Sequence, residues 1–174
     1  IVAETGDEIW LIDKHAAHER ILYEELKAHG GASAQLLIEP VTVTLSREEY
    51  GAVMENLESL RSAGFGIEDF GGTSVLLREA PMLLRAGDAA ASLQELAGSL
   101  ALSRKDALPE RIERLYHSVA CRAAVKGGDR NSLPELDAIA ARVIEMDDIR
   151  YCPHGRPVAF ILMRGELEKQ FGRS

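Results

Sequence analysis

Glu8-Ile9-Trp10-Leu11-Ile12-Asp13-Lys14-His15-Ala16-Ala17-His18-Glu19-Arg20-Ile21-Leu22-Tyr23-Glu24 is the stretch whose reading decides how this chain folds. Residues 8–12 are bulky and β-branched, as in a buried strand, and the residues after Asp13 have helical spacing. Asp13 falls at the switch, where its side chain can cap the first backbone N–H groups of the helix. In a helix begun there, His15 and Glu19 are four residues apart on one face, and Leu22 and Leu26 continue that stripe toward the core. An imidazole and a carboxylate heading such a stripe are costly to bury unless hydrogen-bonded or metal-bound. A divalent metal ion is one answer. An N-cap aspartate with a solvated His/Glu face is the other, and this segment alone leaves both open.

Outward from this stretch, Thr5-Gly6-Asp7 reads as the turn of a hairpin, and Gly30-Gly31 as the end of the helix. Residues 35–45 read as extended, with the alternation of a half-buried strand over Val41 to Leu45. Ser46 to Glu49 has the form of a capping box, after which Tyr50, Val53, Leu57 and Leu60 mark one helix face. Two strands around Gly71-Gly72 and an alanine- and leucine-rich helix from Ala89 to Leu102 complete a β-α-β-β-α unit. That unit contains neither His nor Cys, and nothing in it points to catalysis. Beyond it the pattern predicts a helix from about Pro109 with Ile112, Leu115, Val119 and Ala123 on one stripe, ended by Gly127-Gly128, and another over Leu133 to Met146. Tyr151 to Pro157 reads as a tight loop, Val158 to Met163 as a buried or interface strand, and Glu166 to Gln170 as a short helix. The fold class expected is α+β.

The 174 residues suit one domain or two small lobes, and the 46% hydrophobic content is that of a globular protein. No apolar run approaches the ~20 residues of a membrane span, and the first residues do not form a signal peptide. A cytoplasmic protein without a membrane partner is expected. Because the chain begins inside a strand and without Met, it reads as a piece of a longer protein. The net charge of −8 argues against tight autonomous binding to nucleic acid, so a DNA role would need a tether or a loading partner. The two cysteines, Cys121 and Cys152, read as reduced, buried or metal-bound rather than as a disulfide.

Candidate metal ligands fall in three places: His15 with Glu19, then Cys121, then Cys152 with His154. Zinc accepts thiolate, imidazole and carboxylate together, and a Cys-Pro-His loop presents two donors from a rigid turn. Singly, each place has a plainer reading: Cys121 as inert core, the loop as a turn only. His117 rivals His15, while His18 and His29 read as surface or internally satisfied histidines. The loop and the Asp13 segment each abut an apolar strand, so one sheet could bring them together.

Asp13-Lys14-His15-Ala16 with Glu19 and Glu24, Ala120-Cys121-Arg122-Ala123-Ala124-Val125-Lys126-Gly127-Gly128, Cys152-Pro153-His154-Gly155-Arg156-Pro157 and Phe171-Gly172-Arg173 occur in this order. Together they resemble the C-terminal region of the MutL family of DNA mismatch repair proteins, of the endonuclease-bearing kind. The resemblance covers essentially the whole chain, and Lys14 stands where the family most often has Gln. It implies a nicking endonuclease for duplex DNA, with metal roles for His15, Glu19, Cys121, Cys152 and His154. Asp13, His15 and Glu19 would be catalytic. The implied cofactors are Zn2+ and a catalytic Mn2+ (or Mg2+), with ATP acting only through an N-terminal domain outside this chain. The implied partners are a second copy, duplex DNA bound weakly, the replication sliding clamp, and the mismatch-recognition protein MutS through the full-length protein, at the nucleoid during repair. Residues 1–34 with 107–174 would form the dimerisation lobe and residues 35–106 an external lobe. Gln35-Leu36-Leu37-Ile38-Glu39-Pro40 resembles the family's clamp-binding motif, with Gln35, Leu37, Ile38 and Pro40 as its contacts; the plainer reading is the start of a strand. The competing function is a non-catalytic dimerisation and clamp-docking module with a structural zinc. A zinc hydrolase of small molecules is a third, but neither H-E-x-x-H nor Cys-x-x-Cys is present.

Overall fold

The computed structural model describes residues 1–103, 106–126, 128–146, 151–152 and 155–172. The chain is α+β and divides into two compact units, Ile1–Leu22 with Ala124–Ser174, and Tyr23–Ala123. Among the described residues no helix is long and apolar enough to cross a membrane.

In the first unit β1 (Val2–Thr5) and β2 (Glu8–Ile12) form the expected hairpin, with Thr5 opposite Glu8 and Gly6 taking φ +58° in the turn. A positive φ at that point is what glycine supplies without steric cost. β6 (Ala159–Met163) pairs antiparallel along the other side of β2, giving the order β1-β2-β6. β2 is the central strand, paired along both edges, and its apolar residues alternate between the two faces of the sheet. One face carries Ala3, Trp10, Ile12 and Ala159 onto a core made by Ala16, Ala17 and Ile21 of α1 (Lys14–His29) and Ile139, Ala140 and Val143 of α6 (Leu133–Glu145). On the opposite face the register sets Val2 beside Leu11 and Leu11 beside Phe160, a row across all three strands. That row is apolar and open, with Val2 73%, Leu11 39% and Phe160 62% exposed. α7 (Arg164–Gln170) follows β6 directly.

The second unit holds β3 (Ala34–Thr44), α2 (Arg47–Glu55), α3 (Leu57–Ser62), β4 (Gly66–Gly71), β5 (Ser74–Pro81), α4 (Ala89–Leu102) and α5 (Leu108–Ala123). Its sheet is antiparallel in the order β3-β5-β4, and α4 packs on β3, β5, α2 and α5. α5 packs on α4 within this unit, whose ends fall inside α1 and after Ala123. α1 ends at the Gly30-Gly31 pair for two reasons. Gly30 takes φ +68°, and a Cβ on Gly31 would lie 2.0 Å from the Ser62 carbonyl oxygen.

The helix expected after Ser46 is broken in two. Buried Asn56 donates from Nδ2 to the Ala52 carbonyl at 2.7 Å, while its backbone N–H goes to Val53 O at 3.0 Å, and its φ of −120° is not helical. A side-chain amide competing for a helical carbonyl is a recognised cause of such an interruption.

The expected capping box at the head of α2 is formed, and a second stands at the head of α6. Ser46 N–H donates to Glu49 Oε2 at 2.9 Å and Glu49 N–H to Ser46 Oγ at 3.2 Å; at the head of α6, Ser132 N–H donates to Glu135 Oε2 at 2.8 Å. The backbone N–H of Ser46 or Ser132, then the serine hydroxyl, holds each carboxyl below its ordinary pKa. A depressed pKa contributes stability that is present above the ordinary carboxylate pKa of about 4.3 and lost as pH falls through the folded value. Thermal unfolding followed from pH 6 to pH 3 should therefore show Glu49→Gln/Glu135→Gln losing less melting temperature on acidification than the parent. Parallel acid limbs would contradict it.

Candidate metal centre and docking strand

The ladder between β2 and the β6 side extends one residue past the strand, since Asp13 N–H donates to Val158 O at 2.9 Å. This bond fixes where the chain turns into α1. Asp13 Oδ1 then accepts from His15 N–H at 2.9 Å and Ala16 N–H at 3.2 Å, the N-cap that the sequence led one to expect. One turn on, the His15 ring faces the Glu19 carboxylate with Nε2 3.8 Å from Oε2. Glu19 is buried and His15 half-buried. The separation exceeds a hydrogen bond, and it suits two donors of one divalent ion, each ~2.0–2.2 Å from it. Imidazole nitrogen plus carboxylate is a donor pair that zinc or manganese accepts.

The other ring nitrogen of His15 is engaged: Nδ1 lies 2.9 Å from Val125 O. The same residue's N–H donates to His18 Nδ1 at 3.1 Å, so His18 is internally satisfied. Lys14 reaches Asp129 O at 2.7 Å and Asn131 Oδ1 at 2.8 Å. Sequence reasoning gave no role to Val125 or His18. Backbone groups carry no side-chain signature, and Lys14 stood out only as a departure from the usual Gln.

Cys152 is a buried free thiol in the same cluster as Ile12, Ala16 and Ala17, so this residue is packed beside the head of α1. Cys152 N–H donates to Arg156 O and Gly155 N–H to Cys152 O, both at 2.8 Å, and Gly155 has φ +76°. His154 lies outside the described residues, as do Gly127 and Arg173. Cys121 is half-buried on α5, in the second unit, and is not in a disulfide. His117 is also in that unit, its ring edge-on to Tyr23 with centroids 6.0 Å apart. His29 is exposed, with Nδ1 2.7 Å from Glu25 O.

The Gln35–Pro40 motif lies in β3, which flanks β5 on the outside of its sheet. Between the pairs Leu36–Glu79 and Val41–Leu77, β3 carries four residues, Leu37 to Pro40, where β5 carries only Arg78. This is a wide irregularity that throws the segment off the ladder. Ile38 is fully exposed and Leu36 77% exposed, while Leu37 is half-buried. Gln35 is held at home, its Nε2 donating to Leu84 O at 2.8 Å and Pro81 O at 3.2 Å.

A family model described as the MutL C terminal dimerisation domain matches residues 1–131. The chain belongs to that family. Relatives named DNA mismatch repair protein MutL, from Heliobacterium modesticaldum, Caulobacter vibrioides and Phenylobacterium zucineum, are 40%, 38% and 37% identical over 99–100% of the chain. The chain spans just over a quarter, 27–28%, of the length of those relatives. A MutL C-terminal dimerisation domain implies pairing with a second copy, and the open row of Val2, Leu11 and Phe160 is an exposed apolar surface of the first unit.

Proposed function

We propose that this chain is the homodimeric, metal-dependent nicking endonuclease domain of a MutL-type DNA mismatch repair protein. The observation that carries this reading is the buried Glu19 facing half-buried His15 at the capped head of α1. His15 Nε2 and Glu19 would hold the ion; Cys121, Cys152 and His154 complete the proposed set on the strength of the motifs. A divalent ion held there supplies Lewis-acid polarisation of a phosphoryl oxygen and a lowered pKa for a bound water. The chain's own part is placement. Asp13 is exposed, and its carboxylate accepts two N–H bonds at the N-cap of α1, two residues ahead of His15; its proposed part is to orient an attacking water. The proposed ions are Zn2+ and Mn2+ or Mg2+.

A specific observation keeps the second reading in play. Cys152 is a buried thiol, a donor type that a structural zinc accepts. Titrating Zn2+ and then Mn2+ into metal-stripped protein, with nicking of supercoiled plasmid as readout, separates the two. The endonuclease reading expects Mn2+-dependent nicking; the structural reading expects zinc uptake without it. No metal uptake at all would overturn both.

MutS and duplex DNA are proposed as partners through the complete protein, and the replication sliding clamp through β3. With a net charge of −8 few DNA phosphates are neutralised, so nicking by this chain alone should be weak and should rise when a clamp raises the local DNA concentration. Of the expected contacts Gln35, Leu37, Ile38 and Pro40, Ile38 and Pro40 are exposed, and exposed Leu36 is a further candidate. Ile38→Ala should weaken clamp binding by about tenfold, in line with losing most of a buried isoleucine at an interface. Its melting temperature should be that of the parent, because Ile38 is fully exposed. Unchanged clamp affinity in surface plasmon resonance would remove β3 from the interface.

A further inference from the structure

Three residues in the first turns of α1, Lys14, His15 and His18, tie it to the connection between α5 and α6. Lys14 Nζ donates to Asp129 O and Asn131 Oδ1, His15 meets Val125 O, and His18 meets Val125 N–H. Asp129 in turn closes its own turn, its Oδ2 accepting from Lys126 N–H at 2.8 Å and its N–H donating to Lys126 O at 3.0 Å. The chemistry of one residue's backbone then decides two imidazoles. A carbonyl oxygen can only accept, so His15 Nδ1 must carry the proton and Nε2 must present its lone pair. A backbone N–H can only donate, so His18 Nδ1 must be bare and its proton must sit on Nε2. The bare nitrogen of His15 is the one 3.8 Å from Glu19 Oε2.

We infer that Lys14 and the Val125 backbone are positioning groups that lock His15 in the Nδ1–H tautomer, leaving Nε2 as the ligating atom. This rests on the proposed metal centre and names the device that aims its histidine. Ligating histidines commonly donate their other N–H to a carbonyl, and such partners are worth roughly 10–100-fold in metal affinity. Lys14 acts at one remove. It anchors Asp129 and Asn131, and that anchoring holds the stretch carrying Val125 against the imidazole. A lysine does here what a neutral glutamine could also do, since both present N–H donors to a carbonyl oxygen.

Long-range 1H–15N correlation spectra of the whole 174-residue chain, recorded without metal above the histidine pKa, test this directly. The parent should show His15 protonated on Nδ1 and His18 on Nε2. Lys14→Met, which keeps the aliphatic stem and removes the donors, should leave His15 a mixture of tautomers and weaken Mn2+ or Zn2+ binding about tenfold in calorimetry. Lys14→Gln should restore the single tautomer and most of the affinity. A parent His15 protonated on Nε2, or a Lys14→Met chain with unchanged tautomer and unchanged affinity, would overturn the inference. Should the chain bind neither ion, the metal-centre reading falls while the tautomer spectra still judge the positioning role.

Discussion

Phe160→Glu combined with Leu11→Glu is expected to convert the protein to a monomer at micromolar concentration in sedimentation velocity. The two residues are adjacent in the register and lie on the face of the sheet turned away from the Ile12, Trp10 and Ala159 side. Burying each side chain at an interface is worth ~1.5–3 kcal/mol, and a carboxylate in its place adds a desolvation cost of several kcal/mol. A twofold interface repeats every change on the partner copy. The dissociation constant should therefore rise by at least about a thousandfold. Far-UV circular dichroism should be retained, since neither side chain contributes to the buried cluster of the first unit. A double variant that still sediments as a dimer would move the interface off this face.

Asp13→Asn is expected to lower nicking by at least about a hundredfold, the scale on which removing one placed electrostatic group acts in enzymes. The substitution is informative because of what it spares. Asn is as good an N-cap as Asp, so the bonds to the His15 and Ala16 N–H groups persist and stability should stay within ~0.5 kcal/mol of the parent. Asp13→Ala loses the charge and the cap together, at a further ~1 kcal/mol of stability. Nicking by Asp13→Asn at the parent rate, in the presence of Mn2+, would remove Asp13 from the chemistry.

The head of α1 was legible in the sequence because its signals are local: an apolar strand, an aspartate at the switch, and a histidine and glutamate one turn apart. The Gly30-Gly31 stop was legible for the same reason. The break at Asn56 was not, since it depends on whether an amide turns back onto the Ala52 carbonyl or out to water, and apolar spacing is silent on that choice. Nor does spacing assign α5 to a unit: its apolar stripe predicts only that something covers it, and packing against α4 supplies the answer. In the candidate centre, the side chains Asp13, His15 and Glu19 could be read directly. The contribution of Val125 is made by its backbone and depends on where a distant segment of chain comes to rest.

The bulge in β3 also bears on edge-to-edge aggregation. An outer strand with Leu36 and Ile38 uncovered would ordinarily invite edge-to-edge pairing with other chains and, from there, aggregation. Four residues set against one on β5 interrupt the regular comb of N–H and C=O groups that such pairing requires. Pro40 removes one donor outright, and the exposed Glu39 beside it adds a charge to repel a like edge. The irregularity therefore lets the strand display apolar side chains while denying a stray strand the backbone template for a sheet.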